Sequence, residues 1–74
     1  MTKKYVNPDH YRRDTMEAID VMEAFSSDEE FRGHLKNTAI KYLLRLYDKD
    51  TPLMNARKCA WYVERLITKL ENED

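Results

Sequence analysis

Asn37, Lys41 and Arg45 stand four residues apart, and Lys58 opens a second stretch that also holds Trp61 and Tyr62. On a helix, a spacing of four puts the first three on one polar stripe. Arginine offers phosphate a bidentate fork and lysine a mobile point charge, so Lys41, Arg45 and Lys58 are candidate anion ligands. Tyr42, Trp61 and Tyr62 could stack on a base as readily as fill a core. The plainer alternative pairs the same cations with Glu17, Asp20 or Glu64 and uses them to fix helix register.

Glu17 and Asp20 lie three apart on one helical face. Paired carboxylates at that spacing can hold a magnesium ion that also bridges phosphates. The alternative is a solvated acidic face neutralised by the chain's own lysines and arginines. His10 and Tyr11 precede the first helix, where a loop histidine could touch a phosphate, move a proton, or simply brace the chain. His34, beside Gly33, is expected to be exposed and without a role. One cysteine and two scattered histidines do not make a zinc-ligand spacing. A single glycine rules out a glycine-rich phosphate loop, and with it a Walker-type kinase.

The elements that must position these residues read as helices. Asp14 with Glu17 resembles a capping box for a first helix from about Asp14 or Thr15 to Phe25, with Ala18, Ile19, Met22 and Phe25 on its apolar face. Ser27 with Glu30 fits a capping box for a second helix from Asp28, which Gly33 is expected to kink or break, with the main part running from His34 to Tyr47. Ala39, Ile40, Tyr42, Leu43, Leu44, Leu46 and Tyr47 surround the polar stripe, so this helix is expected to be covered on more than one side. Thr51-Pro52 marks the third helix, a capping threonine before proline at the first helical position, running to about Leu70. Leu53, Ala56, Ala60, Val63, Ile67 and Leu70 step by three and four as a heptad seam does. No stretch alternates as a strand. The expected fold is all-α: a small three-helix domain over residues 14–71, an extended arm over 1–13 and an acidic tail over 72–74.

A chain of 74 residues has room for one small core. Such scaffolds lean on disulfides, metals or self-association, and the lone Cys59 cannot form an internal disulfide. Cys59 reads as a small buried apolar residue and fits a reducing cytoplasm. Self-association into a homo-oligomer is therefore expected. A net charge of -1 gives no global basic field for nucleic acid. The sequence offers no apolar run of the roughly 18–20 residues that crosses a bilayer, and no signal-peptide core, so a soluble cytoplasmic protein without a membrane partner is expected.

Pro8-Asp9-His10-Tyr11, Glu17-Ala18-Ile19-Asp20, the run Asn37 to Arg45 and the run Lys58 to Arg65 follow one another in this order. Together they resemble a family of small bacteriophage proteins, a domain of unknown function often called SaV-like, over about residues 7–67. Some of those relatives are described as nucleotide kinases. The family usually has a glycine-rich dipeptide where this chain has Arg12 to Met16, glycine where Lys36 stands, and aspartate where Asn55 stands. The first two changes remove backbone freedom near a ligand loop, and the third removes a carboxylate.

The resemblance implies a protein of the infected bacterial host's cytoplasm. One reading is a nucleotide-binding accessory protein, with Lys41, Arg45 and Lys58 on the phosphates, His10, Tyr11, Asn37, Trp61 and Tyr62 around the ligand, and Glu17 with Asp20 on magnesium. If it transfers phosphoryl groups, catalysis would rest on positioning and charge neutralisation. A second reading is a non-enzymatic counter-defence protein that binds a host protein or sequesters a signalling nucleotide. A third is a purely structural helical oligomer.

Overall fold

The computed structural model describes residues 17–73, and these form three helices and no strand: α1 (Ala18–Phe25), α2 (Asp28–Leu44) and α3 (Pro52–Glu73). The all-α expectation holds. No helix among the described residues is long and apolar enough to cross a membrane. His10, Tyr11 and the Asp14 cap lie outside the described residues.

Each helix starts where local chemistry satisfies its first amides. Glu17, with extended backbone, caps α1, and its N–H donates to Asp20 Oδ2 at 3.2 Å. The helix therefore begins at Ala18, later than about Asp14 or Thr15. Ser27 and Glu30 form the expected reciprocal box, at 2.8 and 3.1 Å. Thr51 Oγ1 accepts from the Met54 N–H at 3.1 Å, and Pro52, which has no N–H to lose, takes the first helical position.

Two expectations about α2 are corrected. Gly33 neither kinks nor breaks it: the helix is continuous from Asp28 to Leu44. One glycine in a capped helix costs only about 1 kcal/mol relative to alanine, less than the flanking turns supply. The helix also stops at Leu44, before Tyr47, because the chain tightens there: Leu46 N–H donates to Leu43 and Asp48 N–H to Arg45. Asp50, at φ 58°, then turns the chain into α3 through the left-handed region, which aspartate tolerates better than most residues. At the far end α3 runs past Leu70 to Glu73, whose carboxylate takes Arg32 and Lys69.

Helices α2 and α3 form an antiparallel hairpin. Phe31, Leu35 and Ala39 of α2 are buried with Asn55 and Cys59 of α3. Burial of Phe31 and Leu35, at 1% and 0% exposure, contributes about 1.5–3 kcal/mol each. Cys59 is the buried apolar residue expected. His34, expected to be exposed, is instead half-buried between the rings of Phe31, 6.2 Å away, and Tyr62, 6.4 Å away. Its spacing of three from Phe31 places it on the packed side of α2.

α1 buries no residue. Among the described residues ion pairs tie it to α3: Arg65 reaches Asp20 at 2.8 Å and Glu23 at 3.0 Å. Lys69 spans Glu23 at 3.8 Å and Asp28 at 2.6 Å, tying the α1–α2 corner to the same helix.

Candidate functional site

At the loop end of the hairpin, three cations converge on one ring. Lys41 Nζ lies 5.0 Å, the Arg45 guanidinium carbon 4.7 Å and Lys58 Nζ 5.4 Å from the centre of the Tyr42 ring. Lys41 and Arg45 arrive by their spacing on α2, and Lys58 by the register of the hairpin. Each cation gains about 0.5–1 kcal/mol from the ring's quadrupole. Their mutual repulsion acts against that gain.

Among the described residues one carboxylate reaches this cluster: Asp50, 3.6 Å from Arg45 and 3.8 Å from Lys58. Both separations are too long for good hydrogen bonds. Among the described residues, three cations thus face one carboxylate. Such an arrangement is stabilised by an anion, and a phosphate offers the acceptors that an arginine fork and two ammonium groups require.

Aromatic rings continue from the cluster along the hairpin. Tyr42 stacks on Tyr62 at 5.9 Å, and Trp61 meets Tyr62 edge-on at 5.0 Å. Trp61 remains 44% exposed, so its ring has a face for a flat ligand. Burial first, and the neighbouring Tyr42 phenol second, push the Tyr62 hydroxyl above its ordinary range. Tyr62 is therefore a hydrogen-bonding or stacking group at neutral pH and has no phenolate to act as a base. Asn37 lies exposed one turn before Lys41 on the same stripe.

The Glu17–Asp20 pair does not join this cluster. Asp20 gives one oxygen to the Glu17 N–H and the other to Arg65. Arg65 lies seven residues beyond Lys58, roughly 10 Å along α3. Burial draws Arg65 down, but its hydrogen bonds to Asp20 and Glu23 outweigh that and leave it raised. Asp20 is already neutralised by the Arg65 guanidinium. As arranged, the donor set fits a helix cap and an ion pair better than a metal, and no group of three or more potential ligands gathers among the described residues.

Two residues that the sequence did not place at the site, Asp50 and Asn55, shape it. Asp50, in the turn between α2 and α3, brings its carboxylate to Arg45 and Lys58. Asn55 is fully buried, and its amide donates to the carbonyls of Arg45 at 3.1 Å, Leu46 at 3.2 Å and Lys49. Its Oδ1 accepts from Arg45 Nε at 3.4 Å. Asn55 thus holds the loop closed and orients Arg45. The signal was present: Asn55, Cys59, Tyr62 and Leu66 share one helical face, and an amide on a packed face needs partners.

The chain belongs to the DUF3310 family of proteins of unknown function, whose family model matches residues 5–64. No curated protein and no solved structure matches it significantly.

Proposed function

We propose that the protein binds a phosphate-bearing ligand, a nucleotide, at the Tyr42 cluster, with its phosphates on Lys41, Arg45 and Lys58 and its base against Trp61 and Tyr62. The observation that carries this reading is the convergence of three cations on one ring with, among the described residues, a single, loosely held carboxylate. The likeness to small phage proteins, some described as nucleotide kinases, supports the choice of a nucleotide and a place in the infected host's cytoplasm as an accessory of nucleotide metabolism. Binding is the function supported.

The test is calorimetry and thermal shift of the full chain with nucleoside mono-, di- and triphosphates, cyclic and oligomeric signalling nucleotides, and inorganic pyrophosphate, each with and without magnesium. A ligand that binds only the folded chain raises the melting temperature. Lys41→Ala, Arg45→Ala and Lys58→Ala should each weaken binding about tenfold, or about 1.4 kcal/mol. If none of these ligands shifts the melting temperature at millimolar concentration, the reading fails. Preferential binding of a signalling nucleotide would instead favour sequestration over metabolism.

A further inference from the structure

The heptad stripe of α3 does not face α2. Leu53, Ala56, Ala60, Val63, Ile67 and Leu70 are all exposed; the larger four are at 61%, 40%, 43% and 45% for Leu53, Val63, Ile67 and Leu70. The helix packs instead through Asn55, Cys59, Tyr62 and Leu66, a face rotated by roughly 100°. Lys58 and Arg65 flank that packed face on its other side. The apolar stripe and the cation cluster therefore lie on opposite sides of the hairpin. On α2, Leu43 and Ile40, at 55% and 44% exposure, likewise turn away from Lys41 and Arg45 and extend the same apolar side.

We infer that this stripe is the interface of an antiparallel homodimer in which α3 pairs with α3 of a second copy. Side-chain volume selects the orientation. Antiparallel pairing sets Leu53 against Leu70 of the partner subunit, Ala56 against the partner's Ile67, and Ala60 against the partner's Val63. Every small residue except at the centre meets a large one, and the two central layers are equivalent by symmetry. Parallel pairing would stack Ala56 on the partner's Ala56 and Ala60 on the partner's Ala60, leaving two thin layers in the middle of the seam.

Charge selects the same orientation. Taking Leu53, Ala60 and Ile67 as the first core position of each heptad and Ala56, Val63 and Leu70 as the second, the flanking positions on the solvent side are Arg57, Glu64 and Glu71. In an antiparallel pair such flanking positions face each other, so Arg57 meets the partner's Glu64, and by symmetry Glu64 meets the partner's Arg57. Both residues are exposed, and neither makes an ion pair among the described residues. The positions on the other side of the seam, Cys59 and Leu66, face α2 and give a parallel dimer no charge pairing. Ile40 and Leu43 lie level with Ala60 and Arg57 of α3, opposite the stretch from Val63 to Ile67 of the partner subunit, and widen the same apolar side. The seam spans about 25 Å. The cation cluster stays open in this dimer, so the inference does not depend on ligand binding.

Sedimentation equilibrium of the full chain over about 1 µM to 1 mM should give twice the 8.9 kDa chain mass at the upper end. Val63→Asp, at an exposed position, should give a monomer that keeps its helical circular dichroism. Arg57→Glu and Glu64→Arg should each weaken dimerisation about fivefold to tenfold, and the double variant should recover it, because the two positions meet only across an antiparallel seam. A monomer at every concentration overturns the inference and leaves the stripe to an intramolecular cover or another protein. A dimer unmoved by Val63→Asp places the interface elsewhere. A dimer broken by Val63→Asp but indifferent to both charge reversals overturns the antiparallel orientation.

Discussion

Asn55 and Arg45 hold each other: the Asn55 amide donates to the Arg45 carbonyl at 3.1 Å, and Arg45 Nε donates back to Asn55 Oδ1 at 3.4 Å. The exchange fixes a cation of the candidate site by both its backbone and its side chain. It also closes the turn between α2 and α3, since the same amide serves Leu46 and Lys49. A residue of the packed face thereby links the fold to the chemistry.

Asn55→Asp should accordingly destabilise the fold by about 2–4 kcal/mol. The change removes both N–H donors and sets a carboxylate against carbonyl oxygens in a site with no access to water. Attraction to Arg45 offsets part of that loss only. Thermal unfolding of parent and variant decides the matter, and an unchanged melting temperature would show that the loop does not depend on this amide.

Gly33→Ala should act in the opposite direction. Gly33 lies inside α2 with helical backbone, and a Cβ there meets nothing within 4 Å beyond its chain neighbours and the helix's own backbone. Alanine restricts the unfolded chain and favours helix, which together stabilise by about 0.5–1 kcal/mol. In a domain of this size that is roughly 2–8 °C in melting temperature. A fall in melting temperature would mean that the α2 backbone needs glycine at this point.

The contrast between these two positions shows what could be read from the sequence. Cap signals act within four residues, so Ser27, Glu30, Thr51 and Pro52 announced two helix starts correctly. The stripe Asn37, Lys41 and Arg45 was likewise legible, being a property of one helix. Its meeting with Lys58 on Tyr42 depends on the hairpin register, which local spacing does not carry. The apolar stripe of α3 was visible, but its partner was not: the helix packs on α2 through a mixed face of Asn55, Cys59, Tyr62 and Leu66, which has a weaker apolar signal. Asp20 was seen beside Glu17, whereas its partner Arg65 lies 45 residues away.

The Asp28–Lys69 pair predicts a pH profile. A hydrogen bond from Lys69, then the charge of Lys69, holds the Asp28 carboxyl below its ordinary range. The unfolded chain therefore takes up that proton at higher pH than the folded one. The pair's contribution is present above the ordinary carboxylate range and is lost as pH falls through the depressed value. Lys69 is raised, chiefly by its hydrogen bond to Asp28 and against the effect of burial. Its contribution is full below the ordinary lysine range and is lost as pH rises through the raised value. Asp28→Asn should thus lower the melting temperature between about pH 5 and pH 9, with parent and variant converging near pH 2. A difference independent of pH would show that the charge of Asp28 is not what stabilises this corner.

Arg65 should govern α1 separately from the rest of the fold. The helix buries no side chain, and Val21, Met22 and Phe25 stand 41%, 45% and 87% exposed. Among the described residues only Ile19 of its large apolar side chains is half-buried, and the bonds from Arg65 to Asp20 and Glu23 are its strongest polar link. The guanidinium also lies over Phe31 and Trp61, at 5.8 and 5.9 Å from their ring centres. Arg65→Met keeps an apolar stem against those rings and removes the charge and both hydrogen bonds. With its side chain 24% exposed, the loss should be about 1–2 kcal/mol, less than a fully buried pair would cost. The location of the loss is more informative than its size. Hydrogen exchange should show the amides of Val21 to Phe25 losing protection while those around Leu35 and Cys59 keep theirs, since local opening follows the elements that share few apolar contacts. High salt should loosen α1 in the parent in the same direction and leave the variant unmoved. If α1 stays protected in Arg65→Met, its attachment is apolar after all, and the ion pairs only decorate it. If α2 and α3 lose protection together with α1, the three helices unfold as one unit and Arg65 is a keystone of the whole domain.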